Sequence, residues 1–216
     1  LFNQPIWRWN VSNVEDFQAM FVNVFEFNQH LDGWDTSSAT KMTSMFSMSR
    51  AFNGRVPFNT ARVTSMRDMF SSAPLFNQPV AFDTSAVTDL LSMFHTASLF
   101  NQPVAFDTTK VTDFSFMFFN ALVFNQPVRF NVSSVAAGSN KMNNMFNGAA
   151  AMSNCNKLFS HEHLSLSAEW SYSWGTLCPH RTPRGSISWS TAEAIANAGC
   201  VQPLGLQEGS MASSGG

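Results

Sequence analysis

The chain has 216 residues and a formal charge of −2, with 12 basic residues scattered among 14 acidic ones. That balance leaves no basic footprint for a polyphosphate, so nucleic acid is excluded as a partner. Hydrophobic residues reach 44% while charged ones reach only 12%, about half the usual share of roughly 25%, which excludes disorder by charge excess. Asn, Ser, Thr or Asp interrupts every apolar run well before the roughly 18 residues a membrane span needs, so no transmembrane segment is expected.

Leu1 stands in the middle of a repeat, so the chain is expected to continue upstream. Phe-Asn opens a unit at Phe2, Phe27, Phe52, Phe76, Phe100 and Phe124, with spacings of 25, 25, 24, 24 and 24 residues. Met-Phe recurs at Phe21, Phe46, Phe70, Phe94, Phe118 and Phe146. An aromatic followed by Asp or Asn recurs at Trp9, Trp34, Phe58, Phe82, Phe106 and Phe130. Three registers that agree through six units define a repeat array.

Within the unit from Phe76 to Leu99, the segment Gln78-Pro79-Val80-Ala81-Phe82 alternates large and small residues and predicts a short strand with Val80 and Phe82 inward. Asp83-Thr84-Ser85 supplies capping side chains, and Val87, Leu90, Phe94 and Ala97 then follow at steps of 3, 4 and 3. This spacing predicts one face of a three-turn helix. Val63, Met66, Phe70 and Ala73 repeat it, as do Val111, Phe114, Phe118 and Ala121. The fold class expected is therefore α/β, a right-handed β/α solenoid of leucine-rich-repeat-like turns over residues 1–151. Stacking would turn the Phe of each Phe-Asn into a buried aromatic spine, and Asn3, Asn28, Asn53, Asn77, Asn101 and Asn125 into a column whose amides bond neighbouring turns.

The sixth unit carries about four additional residues around Ala136 to Ser139, Met152 replaces the spine Phe, and the pattern is gone by Cys155. Residues 152–180 read as a C-terminal cap and 181–216 as a short helix, Thr191 to Ala198, followed by a Gly- and Ser-rich linker. Three cysteines leave one unpaired in any disulfide scheme. Cys155 with Cys178 would close a loop across the cap, leaving Cys200 over, and three reduced thiols are the alternative.

The units resemble the BspA-like bacterial-surface-protein repeat, a branch of the leucine-rich-repeat group also found in mycoplasma-type lipoproteins and marine microalgae. Phe76-Asn77-Gln78-Pro79-Val80, Asp83-Thr84-Ser85-Ala86-Val87-Thr88-Asp89 and Met93-Phe94 carry the resemblance, which spans residues 2–152. It implies an extracellular or cell-surface location, an adhesion or recognition role, and no enzyme activity.

No catalytic residue, cofactor or metal site is expected, because an array of identical residues does not converge dissimilar groups in one pocket. His30 and His95 read as solvent-facing. His161 and His163 with Cys178 and His180 could suggest zinc, but the spacing fits no common finger. The column Asn10, Asp35, Asn59, Asp83, Asp107, Asn131 reads as turn-forming or capping rather than calcium-binding. Asn10-Val11-Ser12 and Asn131-Val132-Ser133 make Asn10 and Asn131 glycosylation candidates. The leading functional expectation is a module that binds a protein or glycan through its exposed strand face, at Pro79, Ala81, Pro103, Ala105, Pro127 and Arg129, with His30 and Arg55 adding variation. The alternatives are a structural spacer, and ice binding through the Thr columns Thr36, Thr60, Thr84, Thr108 and Thr40, Thr64, Thr88, Thr112.

Overall fold

A computed structural model describes residues 2–174. The chain divides into two compact units, Leu1–Leu177 and Cys178–Gly216. The features expected at Cys178, His180, Thr191 to Ala198, Cys200 and the terminal linker lie outside the described residues.

The α/β expectation is overturned. The repeats contain neither a helix nor a strand, and the β-pairing between their units is confined to isolated parallel bridges, Asp16 to Lys41, Lys41 to Ser65, Ser65 to Asp89 and Asp89 to Asp113. The one helix among the described residues, α1, spans Asn154–Leu164 and follows the array.

Where a helix was predicted, each unit instead folds as consecutive β-turns. In the third unit the N–H groups of Met69, Ser71, Ala73 and Phe76 donate three residues back, to the carbonyls of Met66, Asp68, Phe70 and Ala73, at 3.1–3.2 Å. Between them Met66, Asp68, Phe70 and Ser72 donate forward to Asp89, Leu91, Met93 and His95 of the next unit, at 2.7–3.1 Å. Asp68 and Ser72 have φ of 55° and 56°, which with the three-residue bonds gives two type II turns. Ser92 and Thr96, Phe116 and Asn120, Ser44 and Met48, Ala19 and Asn23 repeat the pair in the other units. Left-handed backbone costs a non-glycine residue about 1 kcal/mol, and here it turns every second N–H toward the next unit, where a carbonyl receives it. A helix would have used those donors within one unit and left adjacent units unjoined.

The turn chain buries the residues the helix pattern singled out. Val87, Leu90, Met93, Phe94 and Ala97 are all fully buried, and Val80 and Phe82 point inward as the alternation predicts. Aromatic rings then stack unit on unit. The Phe-Asn rings lie 5.8–6.1 Å apart and nearly parallel from Phe2 to Phe124. The Met-Phe rings from Phe21 to Phe146 lie 5.2–5.7 Å apart. The two columns interleave where one unit passes into the next, with Phe70 and Phe76 at 3.9 Å and Phe94 and Phe100 at 3.9 Å. Beside them each Asn side chain accepts the backbone N–H of the next Asn, from Asn3 through to Asn125, at 2.8–2.9 Å.

Units also bond in the other sense, with the N–H groups of Thr64, Thr88 and Thr112 donating back to the carbonyls of Thr40, Thr64 and Thr88, so the last unit presents both donors and acceptors, and the chain beyond it answers both. The Tyr172 hydroxyl accepts from Phe146, the Glu169 carboxylate from Gly138 and Asn140, and Ser160 Oγ from Val128. Ser153 both caps α1, accepting from Asn156 N–H, and donates its own N–H to Asn125 Oδ1. Trp170, Tyr172 and Trp174 cover the exposed side of Phe146 at 5.2–6.3 Å. Cys155, in the first turn of α1, is disulfide-bonded. Cys178, its expected partner, lies outside the described residues.

Candidate functional site

The alternation at Gln78–Phe82 sends Pro79 and Ala81 out to solvent over buried Val80 and Phe82, and Pro103 and Ala105 do the same over Val104 and Phe106. Arg129 is exposed and Pro127 is half-buried. The six residues therefore share one outward face. It is not a sheet. Each proline removes an N–H, and among the described residues no backbone hydrogen bond joins 78–82 to 102–106. Unit spacing confirms the opening: Phe58 to Phe82 and Phe106 to Phe130 are separated by 6.5 and 6.4 Å, against 5.2–5.7 Å in the Met-Phe column. The units fan apart toward this face and close up along the hydrogen-bonded turns.

At the C-terminal end of the face, Arg129 borders a cavity of about 460 Å³ whose walls include Phe130, Asn131, Val132, His163 and Leu166. At the other end a cavity of about 410 Å³ opens between the first two units. Repeat spacing alone does not reveal this second cavity. The available signal was the 25-residue length of those units, which places one additional residue on this face.

The turn-forming column behaves uniformly. Asn10, Asp35, Asn59, Asp83, Asp107 and Asn131 each accept, through Oδ1, the N–H two residues on, at 2.9–3.2 Å. The Ser85 hydroxyl and N–H hold the Asp83 carboxyl below its usual range, as the Thr109 N–H and hydroxyl do for Asp107. These are Asx turns rather than helix caps, since no helix follows. Asn10 and Asn131 are both exposed.

The two Thr columns separate. Thr36, Thr60, Thr84 and Thr108 are buried, and their hydroxyls donate to the carbonyls of Asn59, Asp83, Asp107 and Asn131 at 2.8–3.1 Å. Those four hydroxyls face no solvent. Thr64, Thr88 and Thr112 of the second column are exposed.

His95 departs from the solvent-facing expectation, lying half-buried with its ring 5.0 Å from and parallel to Phe119. Beside it Asp68 is pushed up by burial, with Asp89 adding to the rise and Arg67 and His95 opposing it. His161 Nδ1 accepts from the Trp170 indole at 2.9 Å. Among the described residues no group of three His, Cys, Asp or Glu side chains is placed to hold a metal ion, and no helix is long and apolar enough to cross a membrane.

Stacked units joined by forward-pointing bonds around aromatic columns define a repeat protein. The chain belongs to the family described as "Mycoplasma protein of unknown function, DUF285", whose model matches residues 1–57 and 56–159. No curated protein and no solved structure matches it.

Proposed function

We propose that this chain is a recognition module of the BspA-like kind, working outside the cell or on its surface, which holds a protein or glycan against the outward face at Pro79, Ala81, Pro103, Ala105, Pro127 and Arg129. The observation that carries the reading is the combination on that face of small exposed side chains at Pro79, Ala81, Pro103 and Ala105 and a backbone not hydrogen-bonded from 78–82 to 102–106, over a fully buried, ring-stacked core. Such a surface is rigid and easily approached, so little ordering entropy opposes binding. Membership of the DUF285 family supports it, since that family is associated with BspA-like repeat proteins.

The test is a glycan and protein binding screen with Ala81→Glu and Ala105→Glu. Both side chains point away from the core, so the melting temperature is expected to hold, as for most surface substitutions, while binding is lost. Binding that survives both changes would overturn the reading. A chain that binds nothing in either screen would be better described as a spacer.

A further inference from the structure

The first two units differ from the rest on the outward face. From the Phe of Phe-Asn to the aromatic that precedes Asp or Asn they take one residue more than later units do, as Phe2 to Trp9 and Phe27 to Trp34 compare with Phe76 to Phe82. The additional residue closes a β-turn in each, with Trp9 N–H donating to Ile6 at 2.9 Å and Trp34 N–H to Leu31 at 3.1 Å. The second turn packs directly on the first at Gly33, where a Cβ would stand 2.4 Å from the Trp7 carbonyl oxygen. Only glycine permits that approach. The cavity of about 410 Å³ between the turns is lined by Pro5, Trp7, Gln29, His30, Asp32 and Gly33, within the size range of small-ligand sites.

Each polar wall has its hydrogen-bonding role fixed by a neighbour. The Gln29 Nε2 donates to Asn3 at 2.9 and 3.2 Å, which leaves its Oε1 as an acceptor. The His30 Nδ1 accepts from the Arg55 N–H at 3.0 Å, so the neutral ring carries its proton on Nε2 and offers a donor. Arg55 holds Asp32 Oδ2 at 2.6 Å, which neutralises the carboxylate and leaves Oδ1 as a second acceptor. Trp7 is 46% exposed, with the Arg8 guanidinium over one face at 4.5 Å.

An aromatic plate beside a fixed acceptor, donor, acceptor set, its one carboxylate paired with Arg55, suits a ligand that has a flat C–H face and adjacent hydroxyls. A cation would find the Asp32 carboxylate already paired with Arg55. We infer that this cavity is a subsite for a pyranose ring of a neutral saccharide, with Trp7 stacking on the ring and Gln29, His30 and Asp32 bonding its hydroxyls. The inference rests on the recognition reading of the outward face and narrows it to one ligand class at one place.

The test is an array of neutral and anionic oligosaccharides probed with the native chain and with Trp7→Ala, Asp32→Asn and Trp9→Ala. Binding to neutral glycans is expected, falling about tenfold with either of the first two changes, which corresponds to one stacking or charge-assisted contact. Trp9, exposed but outside the cavity, is expected to be silent, and all three variants should melt with the native chain. Neutral-glycan binding unaffected by Trp7→Ala and Asp32→Asn would overturn the subsite while leaving the outward face standing if Ala81→Glu still removes it. Binding of anionic glycans alone, or of none, would overturn the inference too. Capture of a protein through Ala81 and Ala105 would then still support the broader reading.

Discussion

An interior spine ring such as Phe76 or Phe100 is fully buried and touches two rings of the unit before it and one of the unit after it. Truncation to Ala leaves a cavity that the stack cannot close without shifting every unit, so Phe76→Ala or Phe100→Ala is expected to cost about 3–5 kcal/mol. Phe2 is 42% exposed, and Phe2→Ala should cost much less. Chemical denaturation checks this, and equal losses at Phe2 and Phe100 would contradict the spine. The Asx column titrates differently. Serine and threonine groups hold the carboxyls of Asp35, Asp83 and Asp107 low, so these residues stabilise the fold above the unfolded carboxylate pKa. That contribution is lost as pH falls through the lowered folded value. Asn serves the same turn at 10, 59 and 131 without titrating. Replacing all three Asp by Asn should leave the neutral melting temperature unchanged and flatten its fall below about pH 4. An unchanged acid profile would assign the sensitivity elsewhere.

The turn chain makes a prediction of opposite sign to the helix it replaces. Thr96, β-branched and at φ 55°, occupies the column that ends in Gly148 at φ 80°. Thr96→Gly is expected to raise the melting temperature, because glycine adopts that backbone without steric cost. In a helix interior the same change would lower it. The columns were legible in the sequence because identical residues recur at a fixed interval, and stacking needs nothing more to bring Phe76 over Phe52. The backbone was not legible. Val87, Leu90, Phe94 and Ala97 are buried either way, since overlapping turns with left-handed residues four apart place side chains inward at almost the helical interval. Asn23, Asn120, Asn144 and Gly148, all at left-handed positions, were the residues that could have told the two apart. Beyond the array, mass spectrometry of the unreduced chain is expected to join Cys155 to Cys178, with Cys200 free to alkylate. That loop is worth roughly 3 kcal/mol on the chain-entropy estimate. Cys200 joined to Cys155 instead would extend the cap past residue 180.

Across the array the rise per unit grows from the hydrogen-bonded turns to the outward face, and the outward face owes its openness to this. The alternation around Pro79 reads as a strand, yet proline in successive units removes the donors a parallel sheet requires. The face expected to be a sheet is therefore the side where units are farthest apart, and Val80, Val104 and Phe106 keep it closed to water from beneath. The cavity beside Trp7 was hidden for a related reason. Its walls come from two units that are 25 residues apart, and only the stacking brings Gly33 under the Trp7 carbonyl.

The forward hydrogen bonds, each running from one unit to the next, also fix how the chain answers a pull. Tension applied between its two ends acts along those bonds and meets them one unit at a time, as in opening a zipper, rather than loading many side by side. Each unit released adds 24 or 25 residues of free chain, about 80 Å at full extension. Single-molecule stretching should then give a train of low, evenly spaced steps of about that length, with the disulfide-bonded end the last to yield. A protein built this way lengthens under load one unit at a time.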